Sequence, residues 1–194
     1  MSGRPPQERK LRSDVLRNRA SILDAARSHF LAFGIGASLD AIAKEAGVGA
    51  GTLYRHFPTR EALLAGVLQA RSEELTARSA EIAQVPDPGD ALQQWMRALE
   101  DYFSAFSGLP EPLMAAARER EPDNPLTVPC DRLIATTDEY LKSAQAAGRA
   151  RTGLSGNYLF YAAVSIAWLK GTGSLNGAAL AAMRTIIETG YKPS

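Results

Sequence analysis

A single cysteine in 194 residues, Cys130, leaves no internal disulfide to form and no zinc site built on cysteines. It is expected as a small apolar residue, buried or half-buried, with a redox-sensor role as the alternative. Histidine is almost as scarce, with His29 and His56 the only two. Neither stands in an HExxH pattern, and the chain has no GxSxG elbow and no P-loop, so catalysis has little to rest on and no enzyme is expected. No cofactor or metal is called for. No apolar run approaches the roughly 18 residues that a membrane span requires. The first residues are basic but lack the apolar segment of a signal peptide, so a soluble, cytoplasmic protein is expected, with no membrane partner.

Net charge is nearly absent too, at +1, but it is unevenly placed. Residues 1–60 carry ten Lys and Arg against five Asp and Glu; the rest carries twelve against sixteen. A basic first third on an otherwise acidic chain suits a duplex-binding head. A solvated basic tail would give the same count, so the charge needs a motif beside it. The chain is long enough for one or two domains with a buried core.

That motif is Ser38 to Phe57, SLDAIAKEAGVGAGTLYRHF. Leu39, Ile42, Ala43 and Ala46 mark one buried face of a short helix. Ser38 is its N-cap candidate, and Asp40 lies in the first turn, where the helix dipole favours an acid. Gly47 ends it in a left-handed turn anchored by Val48. On the next helix Leu53 and Phe57, four apart, face the core. Ala50, Gly51, Thr52, Tyr54, Arg55 and His56 then look elsewhere. Two short helices joined by a glycine turn make a helix-turn-helix, whose second helix enters the DNA major groove.

The same stretch resembles the DNA-binding signature of the TetR family of transcriptional repressors. That signature reads roughly T-x-x-x-I-A-x-x-A-G-V-S-x-G-T-L-Y-x-H-F-x-x-K-x-x-L. Ile42-Ala43, Ala46-Gly47-Val48, Gly51 to Tyr54, His56-Phe57 and Leu63 match in register, with Ser38 for the leading Thr and Arg60 for the usual Lys. Gly49 replaces a Ser, which removes one hydroxyl able to cap the helix or touch a phosphate. The resemblance implies DNA contacts from Ser38, Ala50, Gly51, Thr52, Tyr54, Arg55, His56 and Arg60. In this set Tyr54, His56 and Arg60 go to phosphates, and Arg60 does so with a fork rather than a point charge. Thr52 offers a hydroxyl to phosphate or a methyl to thymine. Arg55 suits a guanine edge. Ala50 and Gly51 permit close approach. Tyr54 has a second reading, as a ring packed on the first helix.

The remaining chain reads as helices separated by turn clusters. Residues 1–12 contain Pro5 and Pro6 and no periodic apolar face, so a disordered basic arm is expected, with DNA contact left open. A first helix from Ser13 carries Ile22, Leu23, Ala26, Phe30 and Phe33 in one stripe and closes at Gly34. Thr59 caps a long helix from Arg60 to about Ala83, which in the family joins head to body. VPDPGD at 85–90 is the clearest break, with Asp90 and Gln93 as a capping box for the next helix. Its stripe is rich in aromatics, and Trp95, Tyr102 and Phe106 are candidates to line a cavity. Further helices are expected near 111–119, 128–147, 155–170 and 178–189. The last two offer apolar surface on more than one side, which implies a partner. By resemblance that partner is a second copy, joined through a four-helix interface. From Leu92 onward the chain is also similar to the C-terminal domain of an actinobacterial-type TetR subgroup.

The fold expected is all-α, with about nine helices. It comprises the arm at 1–12, a three-helix DNA-binding head at 13–58, and a ligand-binding and dimerisation domain at 59–194. The function implied is a homodimeric repressor on a palindromic double-stranded DNA operator, released by a small-molecule effector. Trp95, Tyr102, Phe106, Met114, Tyr140, Asn157 and Tyr158 are the candidate effector contacts. The alternative is a TetR-like ligand-binding or protein-interaction module with weakened DNA binding, favoured only by Gly49. The sign of regulation rests on resemblance, since activators with this architecture exist.

Overall fold

The computed structural model describes the backbone of residues 6–193 and the side chains of 13–193, residue 70 excepted. Among the described residues there are nine helices and no strand. Three form the head: α1 (Pro6–Phe33), α2 (Leu39–Glu45) and α3 (Ala50–His56). The body holds α4 (Arg60–Ile82), α5 (Pro88–Phe103), α6 (Pro110–Glu119), α7 (Thr127–Ala146), α8 (Gly156–Gly171) and α9 (Gly177–Tyr191).

Helix ends follow local chemistry. Ser38 Oγ accepts the Ala41 amide at 3.3 Å and starts α2. Gly47, at φ +70°, turns the chain out of it, and the Val48 amide donates back to the Ala43 carbonyl at 3.0 Å. Gly49 caps α3 with no side-chain acceptor. Thr59 Oγ1 takes the Ala62 amide at 3.1 Å and starts α4.

Three expectations from the sequence need correction. Helix α1 begins at Pro6, so residues 6–12 are helical rather than a disordered arm; residues 1–5 of that arm lie outside the described residues. The segment PQERKLR has no apolar face, but it consists of good helix formers behind a proline at the first helical position, where no amide hydrogen is needed. Phe33, counted in the core stripe of α1, is 72% exposed. The chain turns off at Gly34 before anything covers that ring. The cap of α5 is Asp87 rather than Asp90. Its Oδ1 accepts the Gly89 and Asp90 amides at 2.8 and 3.1 Å, and Pro88 fills the first helical position.

Within the body, α5, α7 and α8 pack on one another, α4 lies on α5, α6 sits against α7 and α8, and α9 against α8. The head core of Ile22, Phe30, Ile42, Leu53 and Phe57 runs without a break into Leu64, Trp95, Leu99 and Phe103 of the body. Phe30 meets Phe106 edge-on at 5.9 Å where the two parts join. Helix α9 is tied to α5 by Arg184, whose Nε donates to Glu100 Oε2 at 2.7 Å. That bond explains how Glu100, only 5% exposed, is accommodated as a charge.

Candidate nucleic-acid interface and body cleft

Leu53 and Phe57 are buried at 1% and 3%, which fixes the roll of α3 and decides what it presents outward. Ala50, Gly51, Tyr54 and Arg55 are exposed, and Thr52 and His56 are half-buried at its flanks. The Tyr54 ring is 47% exposed, so packing on α1 is not its main environment. A Cβ at Gly49 or Gly51 would meet nothing within 4 Å, so this end of α3 is open to close approach. Helix α3, AGTLYRH, contains no acid. The nearby carboxylate of Glu45 is engaged with His29 Nε2 at 2.8 Å.

Two arginines of the predicted set make hydrogen bonds within the head. The Arg55 guanidinium lies back along its own helix, with Nε donating to the Gly51 carbonyl at 3.1 Å and Nη2 to Thr52 Oγ1 at 3.4 Å. A base contact would require it to swing out. Arg60 does not point to the outer face of the reader pair. Its Nη1 donates to the carbonyls of Ile35 and Ala37 at 2.6 and 2.7 Å, so it clamps the loop that leads into α2. The same loop is held from the body side, where the Ile35 amide donates to the Ser107 carbonyl at 2.9 Å. Gly34, at φ +75°, fits there because a Cβ would stand 2.7 Å from the Ser107 oxygen. Sequence reasoning missed this clamp; the signature marks a cation at position 60 and says nothing of where it turns.

In the body, a cleft of about 600 Å³ lies between α4 and α7, with α5 as its floor. Trp95 and Tyr102 line it. Trp95 Nε1 donates to Thr137 Oγ1 at 3.0 Å, and its ring stacks on Tyr140 at 5.3 Å. Tyr140 faces a neighbouring groove, and its hydroxyl donates to the Ser79 carbonyl at 2.8 Å. Burial pushes the Tyr102 hydroxyl up to about 12, so it is a hydrogen-bond donor at neutral pH. Of the other candidates, Phe106 is buried at the head–body junction, and Met114, Asn157 and Tyr158 stand on α6 and α8; none borders the cleft. The residues that do border it from α4 and α7, such as Leu68, Ser72, Thr76, Arg132, Leu133 and Thr136, went unnoticed in sequence. They come together only through the packing of distant helices.

Cys130 is fully buried between α6 and α7, with Sγ 3.7 Å from the Leu113 carbonyl. Burial pushes its thiol up to about 12, which keeps it protonated and unreactive. Among the described residues there is no cluster of potential metal ligands, and no helix is long and apolar enough to cross a membrane.

A helix-turn-helix head on an all-helical body defines a DNA-binding transcriptional regulator as the class. Comparison with known proteins narrows it. Residues 22–67 match the bacterial regulatory proteins of the tetR family, and residues 87–193 match the C-terminal domain of SbtR-like transcriptional regulators. The chain is 32% identical to the TetR transcriptional regulator SCO0520 from Streptomyces coelicolor, covering 91% of this chain and 99% of that one with a TM-score of 0.57. It is 33% identical over 97 residues to the HTH-type transcriptional regulator SAB2452 of Staphylococcus aureus (strain bovine RF122 / ET3-1). That match takes in 50% of this chain and spans about half the length of the curated relative, 51%. The transcriptional regulator FadR from Bacillus subtilis, solved in complex with stearoyl-CoA, shares the fold at 18% identity and a TM-score of 0.59, over 87% of this chain and 95% of that one. The chain belongs to the TetR family of transcriptional regulators.

Proposed function

We propose that this regulator is a repressor that binds a palindromic operator as a homodimer and leaves it when a small molecule enters the body cleft. The observation that carries the reading is α3: an acid-free helix with its apolar side locked by Leu53 and Phe57 and its polar side open. Tyr54, His56, Ser38 and Thr52 are assigned to phosphates, which set register, and Arg55 to a base edge, which carries sequence information. Arg60 acts as a positioning residue for the loop before α2 rather than as a phosphate contact.

Dimerisation is assigned to α8 and α9. Tyr158 and Ile186, 61% and 65% exposed, are large apolar residues on their outer sides, as is Trp168. The cleft and the head share α4. Its first residue clamps the loop before α2, and its middle forms a cleft wall. An occupant that fits one tilt of α4 better than another shifts the population of DNA-fitting heads by its differential affinity. The one feature favouring the alternative, a module with weakened DNA binding, is Gly49, which leaves α3 without a side-chain cap.

The test is a pair of exposed substitutions, Tyr54→Ala and Arg55→Ala, assayed on a selected duplex by fluorescence anisotropy. Each should weaken binding by about tenfold with the melting temperature unchanged. Arg55→Ala should also relax sequence preference at one base pair per half-site. Unchanged affinity in the double variant would overturn the interface.

A further inference from the structure

The body carries more acid than base, yet its cleft does not follow that balance. No Asp or Glu lines it, and Arg132 stands at its lip. Arg71, on α4, lies three residues after Leu68 and four before Leu75, so it shares the side of the helix that lines the cleft. Arg71 Nε is buried with no hydrogen-bond partner among the described residues. A buried donor left unsatisfied is costly, so it is a group that an occupant can relieve. None of the acids on the neighbouring stretches lines it: Asp131 pairs with Arg120 at 3.1 Å, Glu139 borders the neighbouring groove, and Glu73 and Glu74 on α4 are exposed. The rest of the wall is apolar, chiefly from Leu68, Leu75, Trp95 and Leu133, or carries neutral polar groups, the hydroxyls and the Gln69 amide.

We infer that the cleft takes an organic anion, with an apolar body against those four residues and a carboxylate-like head held by Arg132 and Arg71. This assignment rests on the reading of the cleft as the effector site. The Tyr102 hydroxyl adds a neutral donor beside the two cations. A cationic ligand meets two like charges and no carboxylate in the cleft wall. A neutral ligand of the same size gains the apolar contacts alone.

The probes are decanoate, decan-1-ol and decylamine, which share one chain and differ in the head, titrated calorimetrically into the full-length protein. Decanoate should bind about tenfold tighter than decanol, a difference worth about 1.4 kcal/mol, and decylamine should bind weakest. Arg71→Gln with Arg132→Gln should bring decanoate down to the level of decanol while decanol binding stays unchanged. Because Arg71 is partly buried, Arg132→Glu at the exposed lip serves as the independent variant; it should shift the preference toward decylamine. Decanol binding as tightly as decanoate would overturn the anion assignment and leave the cleft as the effector site. So would a decanoate preference that survives both substitutions, for it would place the anion elsewhere. Binding by none of the three would overturn the assignment and the cleft reading together.

Discussion

At the scale of the residue, burial decides what each reactive group is able to do. Cys130 is the clearest case. Its thiol is pushed up to about 12 by burial, whereas the same thiol in the unfolded chain titrates near 9. The folded state therefore keeps a proton that the unfolded state releases, so stability falls as pH rises from about 9 toward 12. Tyr102 and Tyr191, both raised to about 12 chiefly by burial, add to the loss only above about 10. Between pH 9 and 10, urea denaturation should show wild type losing stability faster than Cys130→Ala, by at most about 1.4 kcal/mol per pH unit. Equal slopes would mean that the thiol is accessible in the folded state. The burial of Cys130 was legible from its being the chain's one cysteine, a small residue type that is mostly found buried. The direction of Arg60 was not, because a side chain that long reaches phosphate or backbone depending on where the loop at 35–37 passes.

At the scale of the element, the local rules worked where one helix end was decided by its own residues. Ser38, Gly47 and Thr59 each act as their chemistry suggested. They failed where two residue choices competed. Asp87 precedes a proline that starts a helix without an amide, and this outweighs the capping-box spacing of Asp90 and Gln93. Phe33 shows the limit of periodicity, since a stripe is core only as far as another element covers it. The clamp on the loop before α2 makes its own prediction. Arg60→Ala removes two hydrogen bonds from a charged donor and leaves the Ile35 and Ala37 carbonyls unserved. Hydrogen exchange at residues 34–42 should speed up, consistent with a local loss of about 2 kcal/mol, while α7 and α8 keep their protection. DNA affinity should fall through misplacement of α2. Unchanged exchange in that loop would mean that Ser107 and Gly34 hold it without the arginine.

At the scale of the whole molecule, the architecture was legible and the cleft was not. The helix-turn-helix signature and the apolar periodicity carried the fold, because both are local patterns. The cleft depends on how α4 and α7, far apart in sequence, lie over α5. Only Trp95 and Tyr102 of the expected contacts border it, since both sit on the floor helix whose aromatics stood out in sequence. The proposed dimer uses the exposed sides of α8 and α9. Placing a charge there, as Ile186→Glu with Tyr158→Glu, should convert a dimer to a monomer in analytical ultracentrifugation without unfolding it. DNA affinity should fall with it, because two half-sites are then no longer bound as one unit. A variant that stays dimeric would place the interface on another surface.

The most direct test of the central claim is a selection of bound duplexes from a random DNA pool with the purified protein, followed by a salt titration on the enriched sequence. A homodimeric reader should select a palindrome whose half-sites are spaced for two α3 helices on one face of the duplex. Its affinity should fall linearly with salt on logarithmic axes, with a slope reporting several phosphate contacts per dimer. No enrichment over the starting pool, or binding with no sequence preference and no salt dependence, would contradict that claim.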